Sequence, residues 1–409
     1  MKEMKEIRII AVYVVIFLLI MGIVTSIYVP DLFASNHFLN WDATHYYSIK
    51  NGDYTDFRLA FFPLFPMLWK ILHLGIYGVV LLNSIIYFLA FYFLIKSLDL
   101  NRSETVLYLS IPSAIFFFLP YSESIFFACS TLMILGVKKD KTNIVLLGLL
   151  LCTMARPAFT VLIPALFLME FLSKATLKNK IINTLSYCFV SLVGILIVGI
   201  VQHHFTGKWF QFFEVQQGWG NYIQLPQFPL RSWGGNMITR LDGVALIFGL
   251  LSGAMLLLHL LKVKFLKSIE ISKEVILSLA YLGGITLSVV LFRGGSLFSL
   301  NRFVFAAPFI IVAVNFFLKQ EFFFSKKQLG FIFLLLIFYW TSFGSYVHIQ
   351  AFLKYGAVSL YLLLFAAMKS ENRRIMSYSY LLFIGINLFF QVYLYVHFLM
   401  TEGEVGWVG

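Results

Sequence analysis

Apolar residues run through this chain in long unbroken stretches, not at every second position and not along one helical face. Runs of that kind fit helices that are apolar all round, as in lipid. About 20 such residues cross a bilayer core. Backbone polar groups must be satisfied within the segment there, and without alternation the spans are helices, not barrel strands. The pattern predicts spans near 9–29, 75–96, 104–119, 121–137, 143–154, 157–173, 181–203, 242–261, 274–292, 302–318, 328–347, 351–368 and 376–400. The expected fold class is therefore all-α: a polytopic integral membrane protein with about 11–13 transmembrane helices. The shorter runs are either half-helices or parts of merged ones. No soluble domain, low-complexity tract or clear internal repeat interrupts the pattern, so 1–409 reads as a single membrane domain.

Composition sharpens this picture. The 409 residues are 60% hydrophobic and 12% charged, whereas soluble domains carry roughly a quarter charged residues. The first apolar run follows Lys2, Lys5 and Arg8. It is too long for a signal-peptide core and precedes no small-x-small cleavage site, so it is expected to stay as the first span. Cys129, Cys152 and Cys188 all fall within apolar runs. They suggest packing residues, not a disulfide framework or a thiolate metal site.

A net charge of +12 could suit a nucleic-acid partner, but its placement argues otherwise. With the N-terminus in the cytoplasm, the inner segments collect Lys2, Lys5, Arg8, Lys96, Arg102, Lys138, Lys139, Lys141, Lys174, Lys178 and Lys180. Further along they add Lys262, Lys264, Lys267, Lys273, Lys319, Lys326, Lys327, Lys369, Arg373 and Arg374, making 21 of the 31 basic residues. This is the positive-inside bias. The charge thus serves topology, with membrane lipids as its partners and no nucleic acid. The inner loops are short. The outer side has two long loops, 30–74 and 204–240, which hold Trp41, Trp69, Trp209, Trp219 and Trp233. Tryptophans there form either an interfacial belt or a stacking surface for a sugar.

Candidate chemistry concentrates in the first outer loop. It reads Asn40-Trp41-Asp42-Ala43-Thr44-His45-Tyr46-Tyr47, then Gly52-Asp53-Tyr54, then Ala60-Phe61-Phe62-Pro63-Leu64-Phe65-Pro66. Asp42 stands just past the first span among aromatics, where partial desolvation suits a carboxylate to take a proton from a hydroxyl. If Asp42 opens a short helix, His45 shares its face. Asp42 also suits a plain helix N-cap. Arg156 interrupts an apolar stretch in Met154-Ala155-Arg156-Pro157, and Arg302 opens another in Ser299-Leu300-Asn301-Arg302-Phe303. Arginine at membrane depth is costly unless it faces a cavity or a partner, so either could fork onto a phosphate. Arg302 could equally be a snorkelling anchor. Glu123 follows Pro120 at the start of a span, where it could cap the helix or serve a site.

In the second loop His203, His204, Lys208, Trp209, Glu214, Gln216, Gln217 and Trp219 suggest a polar-aromatic cover over the site. Adjacent histidines face different ways on a helix, which argues against joint ligation. His348 and His397 read as interfacial residues. No metal is assigned: Asp42 and His45 lack a third ligand at a telling spacing. No cofactor is expected, since no Walker loop, Rossmann fingerprint or Asp-x-Asp motif stands out.

The string Trp-Asp-Ala-x-His-Tyr with Gly-x-Tyr and Ala-Phe-Phe-Pro-Leu-Phe-Pro resembles the first luminal loop of the second mannosyltransferase of glycosylphosphatidylinositol synthesis, a family with bacterial relatives. Pro112-Ser113-Ala114 and Pro120-Tyr121-Ser122-Glu123-Ser124-Ile125-Phe126 are similar to the family's Tyr-Ser-Glu segment. The likeness is specific over 30–126 and looser beyond; Asp53, between Gly52 and Tyr54, departs from the pattern and lengthens that turn. The resemblance implies a GT-C glycosyltransferase, a polytopic enzyme that takes sugar from a polyprenyl-phosphate-linked donor. It further implies inverting transfer to a hydroxyl of a glycolipid or glycan acceptor, a mannosyltransferase most specifically. Asp42 is the motif's acidic residue and so the implied base. Trp41, His45, Tyr46, Glu123, Arg156 and Arg302 are the expected substrate contacts.

Two other readings stand beside it. A multi-pass transporter or lipid flippase would use intramembrane charges as its pathway. A non-catalytic relative would keep the fold as an assembly factor. The expected location is a cell membrane with the site facing the exterior or periplasm, or the endoplasmic reticulum membrane in a eukaryote.

Overall fold

Each predicted run is mostly helix where it is described in the computed structural model, which covers all residues but 1–2, 229, 231, 233–240, 262–270, 344–348 and 401–409. Lys2, Trp233, Lys262, Lys264, Lys267 and His348 thus lie outside the described residues. In chain order the α-helices are α1 (Glu3–Ile27), α2 (Asp42–Lys50), α3 (Leu64–Ile71), α4 (Ile76–Leu98), α5 (Arg102–Leu109), α6 (Glu123–Lys138), α7 (Thr142–Ala155) and α8 (Phe159–Leu172). They continue with α9 (Leu177–Thr206), α10 (Phe212–Gly218), α11 (Leu241–Leu260), α12 (Lys273–Phe292), α13 (Leu300–Phe305), α14 (Pro308–Lys319), α15 (Lys326–Phe343), α16 (Ile349–Ala367) and α17 (Arg373–Met400).

Among the described residues six helices are long and apolar enough to cross a membrane: α1 from Glu6 onward, α4, α9, α11, α12 and α17. The chain is an all-helical, multi-pass membrane protein. Its surface carries the expected inversion. α1 presents Leu18 and Leu19 outward at 62% exposure each, while Asn83 and Gln391 are fully buried in the interior. In water such exposed leucines would form a patch needing a partner; here hydrocarbon is the partner.

Two predicted spans are not continuous. The run 104–119 is α5 followed by a 3₁₀ helix at Pro112–Phe118, and that segment and α6 meet at a bend of 105°. The physical reason is Pro112, which cannot donate to the ladder and starts a new helix. The carbonyls this frees are answered by side chains. Gln391 Nε2 donates to Leu109 O at 3.0 Å and Ile111 O at 3.1 Å. Asn83 Nδ2 donates to Leu119 O at 2.6 Å and Tyr121 O at 2.9 Å. Irregular backbone inside a membrane protein persists where protein groups satisfy it in this way. The run 302–318 likewise breaks, at Ala306–Ala307, into α13 and α14, with Pro308 opening the second helix.

The loops sort into two sets. Asp140 pairs with Lys273 at 2.5 Å, Lys319 Nζ donates to Leu98 O at 2.8 Å, and Lys369 Nζ donates to Leu318 O at 3.1 Å. These all join loops that the charge bias places inside. The loops that it places outside meet one another around Asp42. Cys129 and Cys152 are buried free thiols within the packing, and Cys188 is an exposed free thiol.

α11 and α12 touch at backbone distance. A β-carbon at Gly283 would lie 2.9 Å from Gly253 Cα and 3.1 Å from Gly253 N. Small residues allow this approach, which gains dispersion contacts that lipid would not supply. Gly283→Val should therefore cost about 1–3 kcal/mol by overpacking and lower the unfolding temperature in a detergent thermal scan. Gly385→Ala, at a position with nothing within 4 Å of the added carbon, should leave it unchanged or slightly raised. Equal effects from both substitutions would contradict the close packing.

Candidate active site

The first outer loop is held before it reaches Asp42. Asn40 Nδ2 donates to His37 O at 3.0 Å and, at 2.8 Å, to Phe398 O near the end of α17. Trp41 then takes φ 55° and ψ −128° as the N-cap of α2. That region costs a non-glycine residue about 1–3 kcal/mol and persists only where the surroundings over-determine it. The turn brings Asp42 into the first helical turn of α2. Asp42 is thus not the N-cap, and no side-chain cap hydrogen bond is formed. Its carboxylate still gains from the helix dipole there.

What Asp42 meets is an alternating chain of charges. Asp42 Oδ2 lies 2.7 Å from Arg302 NH1, and Arg302 Nε lies 2.9 Å from Glu123 Oε1. The same Glu123 oxygen accepts from Arg156 NH1 at 2.9 Å. All four groups are mostly enclosed: Glu123 is 1% exposed at its side chain, Arg302 8%, Arg156 12% and Asp42 13%. Burying one such ion alone costs several kcal/mol; paired in alternation, each offsets its neighbour. Each residue comes from a helix end created by a break. Glu123 opens α6 after the 105° bend, Arg156 caps α7 ahead of Pro157, and Arg302 sits in the short α13.

Aromatic walls complete the enclosure. Tyr46 OH and Ser122 Oγ are 2.8 Å apart, and Tyr46 packs edge-on to Tyr121 with ring centroids at 6.4 Å. The Arg302 guanidinium lies 5.4 Å from the Tyr121 ring and 5.6 Å from that of Phe116. Such contacts stabilise a desolvated cation further. Two polar atoms stay open: among the described residues Glu123 Oε2 and the Tyr121 hydroxyl are buried and unsatisfied. An enclosed carboxylate oxygen and an enclosed hydroxyl without partners suit a hydroxylated ligand, since leaving them unpaired costs about 1–3 kcal/mol each.

His45 shares the Asp42 side of α2. Its ring stacks on Phe61 at 4.9 Å and meets Trp219 edge-on at 6.2 Å. Trp219 also meets Phe57 at 6.1 Å, so the second outer loop does close on the first. The remaining residues of the predicted cover split up. His203 stacks on Trp209 at 4.6 Å, Glu214 accepts from Gln211, and Gln216 accepts from Asn221 at 2.6 Å. The turn lengthened by Asp53 is accommodated by Gly52 at φ 100° and by an Asp53–Arg58 ion pair of 3.1 Å. The structure therefore brings Asp42, Glu123, Arg156 and Arg302 into one cluster, with Trp41, His45 and Tyr46 on its α2 wall. His397 stands apart, stacked on Tyr393 at 5.9 Å. Among the described residues no three His, Cys, Asp or Glu side chains gather as a metal site.

Arg293 and Asn301, which the sequence did not single out, complete this region. Arg293 caps α12; its Nε donates to Asn221 Oδ1 at 3.1 Å and its NH1 to Phe298 O. Buried Asn301 donates to Asp242 Oδ1 from its backbone at 2.8 Å and its side chain at 2.7 Å, and accepts from Ser113 at 3.0 Å. The guanidiniums of Arg156, Arg302 and Arg293 lie 5.1, 5.5 and 5.7 Å from the single Phe303 ring. Any two are then within about 11 Å, and at an effective dielectric of ~20 each pair repels by roughly 1.5 kcal/mol or more. Burial, reinforced by Arg302, pushes the Arg293 pKa down to about 10 against the pull of Asp242 and Asp42. The signal for Arg293 was present: a cation ending an apolar run, followed by Gly294-Gly295.

Burial lowers the His45 pKa below its ordinary 6.5; Asp42 opposes the shift and Arg58 adds to it. The unfolded chain then binds more protons than the native one as pH falls through that value, so stability falls with pH. Thermal scans should show wild type losing stability between about pH 7 and pH 5, with His45→Gln losing less. Parallel losses would contradict a neutral, enclosed imidazole. No protein-family model matches the chain, and no curated protein or solved structure shows significant similarity to it.

Proposed function

We propose that this protein is a glycosyltransferase that moves a sugar from a polyprenyl-phosphate donor to a hydroxyl of a glycolipid or glycan, with Asp42 as general base. A mannosyltransferase is the most specific form of this reading, through the resemblance of the first outer loop to that family. The observation that carries it is the placement of Asp42 at the end of an enclosed chain of charges: Arg302 holds Oδ2 and bridges to Glu123, whose Oε2, like the Tyr121 hydroxyl, is buried without a partner among the described residues. A transporter pathway would spread its charges along the bundle; here they gather at one set of helix ends.

In this reading the acceptor hydroxyl hydrogen-bonds to Asp42 Oδ1. Its oxygen attacks the anomeric carbon from the face opposite the phosphate. The carbon–oxygen bond to phosphate breaks with its electron pair, the hydroxyl proton passes to Asp42, and the configuration inverts. Holding donor and acceptor in line removes much of the entropic barrier. Negative charge grows on the departing phosphate, and arginines already fixed by Glu123 and Phe303 meet it without reorganising. Arg302 has a second effect: by holding Oδ2 it fixes which Asp42 oxygen faces the acceptor.

Purified protein in nanodiscs, given polyprenyl-phosphate sugars and hydroxyl acceptors, is expected to form glycosidic product detectable by mass spectrometry. Asp42→Asn should cut the transfer rate at least about a hundredfold, the scale of general-base loss, with donor affinity and unfolding temperature nearly unchanged. A variant that still transfers at the wild-type rate would remove Asp42 as base. Passage of lipid or sugar across a sealed vesicle without product would favour a transporter instead.

A further inference from the structure

Arg156 and Arg302, the two cations on which the sequence reading placed the phosphate, are both committed to carboxylates, through Glu123 and Asp42. Arg293 is not. Among the described residues no carboxylate lies within 4.0 Å of it. Asp242, whose charge it feels, is taken up by Asn301 and Ser232. Arg293 spends Nε on Asn221 and NH1 on Phe298 O, and among the described residues its NH2 donors have no hydrogen-bond acceptor. It faces the same Phe303 ring as the other two guanidiniums. A half-buried fork held by two hydrogen bonds, with spare donors and like charges beside it, suits an anion, and planar bidentate geometry matches phosphate oxygens.

We infer that Arg293 is the primary anchor for the phosphoryl group of a prenyl-phosphate lipid, ahead of Arg156 and Arg302. The lipid as ligand rests on the transferase reading above; the anion site rests on the contacts of Arg293 alone. The surrounding backbone supports the assignment. Gly294 and Gly295 adopt φ of 55° and 92°, which glycine takes without strain. They let the second outer loop run along the end of α12, with Gln224 N donating to Leu291 O at 3.0 Å and Gln227 N to Gly294 O at 2.9 Å. That clasp fixes Asn221, and Asn221 fixes the guanidinium. A β-carbon at Gly295 would come within 2.7 Å of Gln227 O, so the clasp requires glycine there.

The test compares three probes on nanodisc protein: a polyprenyl monophosphate, the matching polyprenol and inorganic phosphate. Wild type is expected to prefer the monophosphate over the polyprenol by tenfold or more. Arg293→Gln should reduce that preference by about tenfold, the worth of a charge-assisted hydrogen bond, and Lys273→Gln, far from the site, should not. Asn221→Ala frees the guanidinium without removing it and should weaken monophosphate binding about threefold. This variant carries the test if Arg293→Gln does not fold. Inorganic phosphate binding as tightly as the lipid would keep the anion site and assign it to a free phosphate. Equal affinity for polyprenol and monophosphate, or wild-type preference in the folded variants, would overturn the proposal. Phosphate binding through Arg293 without any sugar transfer would leave this site and remove the transferase. Transfer with an unchanged donor KM in Arg293→Gln would do the reverse.

Discussion

Arg302 is the residue on which the outer end of this protein depends, because among the described residues it pairs with the carboxylates of both Asp42 and Glu123. Each of the three would be prohibitively placed without the others, since an enclosed unpaired charge costs several kcal/mol. The pairing ties together parts of the chain that are distant in sequence, beside the Tyr46–Ser122 and Asn301–Ser113 contacts that join the same elements. α2 belongs to an outer loop, α6 starts at a sharp bend, and α13 is a single-turn-and-a-half insertion before α14. Arg156 extends the chain of charges to the α7–α8 break through the shared Glu123 oxygen. Four element ends thus converge on one balanced set of charges.

The same logic governs the interruptions that create those ends. A break in a membrane helix frees backbone carbonyls that water does not reach. Gln391 and Asn83 answer them around Pro112 and Pro120, and Asn301 with Ser113 and Asp242 links the 3₁₀ segment to α11. These amides and the carboxyl are buried polar residues, yet each has donors or acceptors to meet, which makes the breaks stable features. Close contact between α11 and α12 through Gly253 and Gly283 sets the scaffold behind them. The site consequently stands on rigid helix ends instead of free loops, which favours fixed electrostatics.

Hydropathy accumulates over about 20 residues, so the all-helical, multi-pass class was legible from composition alone, while of the about 11–13 predicted spans six are helices of crossing length among the described residues. Their interruptions were only half legible. Pro112 and Pro308 mark the two breaks, but whether a proline starts, kinks or ends a span depends on which partners satisfy the backbone, and Gln391 lies at the far end of the chain. Asp42, Glu123, Arg156 and Arg302 could each be singled out, because a charge inside or beside an apolar run is conspicuous. Their mutual pairing could not, since one sequence carries no record of which distant residues meet. Arg293 was missed for a related reason: at the end of a span it looks like a snorkelling anchor until Asn221 and Phe303 are seen to hold it. The helix capped by Trp41 and not Asp42 turns on a positive φ that no local pattern announces.

The dependence on Arg302 is tested most directly by exchanging the charges of its pair. Asp42→Arg and Arg302→Asp alone should each lower the unfolding temperature sharply, by leaving like charges buried together. The double exchange should recover much of the loss, as the pair is restored in reverse, though with the new aspartate facing Glu123 the recovery stays incomplete. On the transferase proposal, sugar transfer should be lost in the two variants that carry arginine at position 42, because no carboxylate then stands there. If the double variant is no more stable than the worse single one, the ion pair does not hold the outer end together, and the account of the site fails with it.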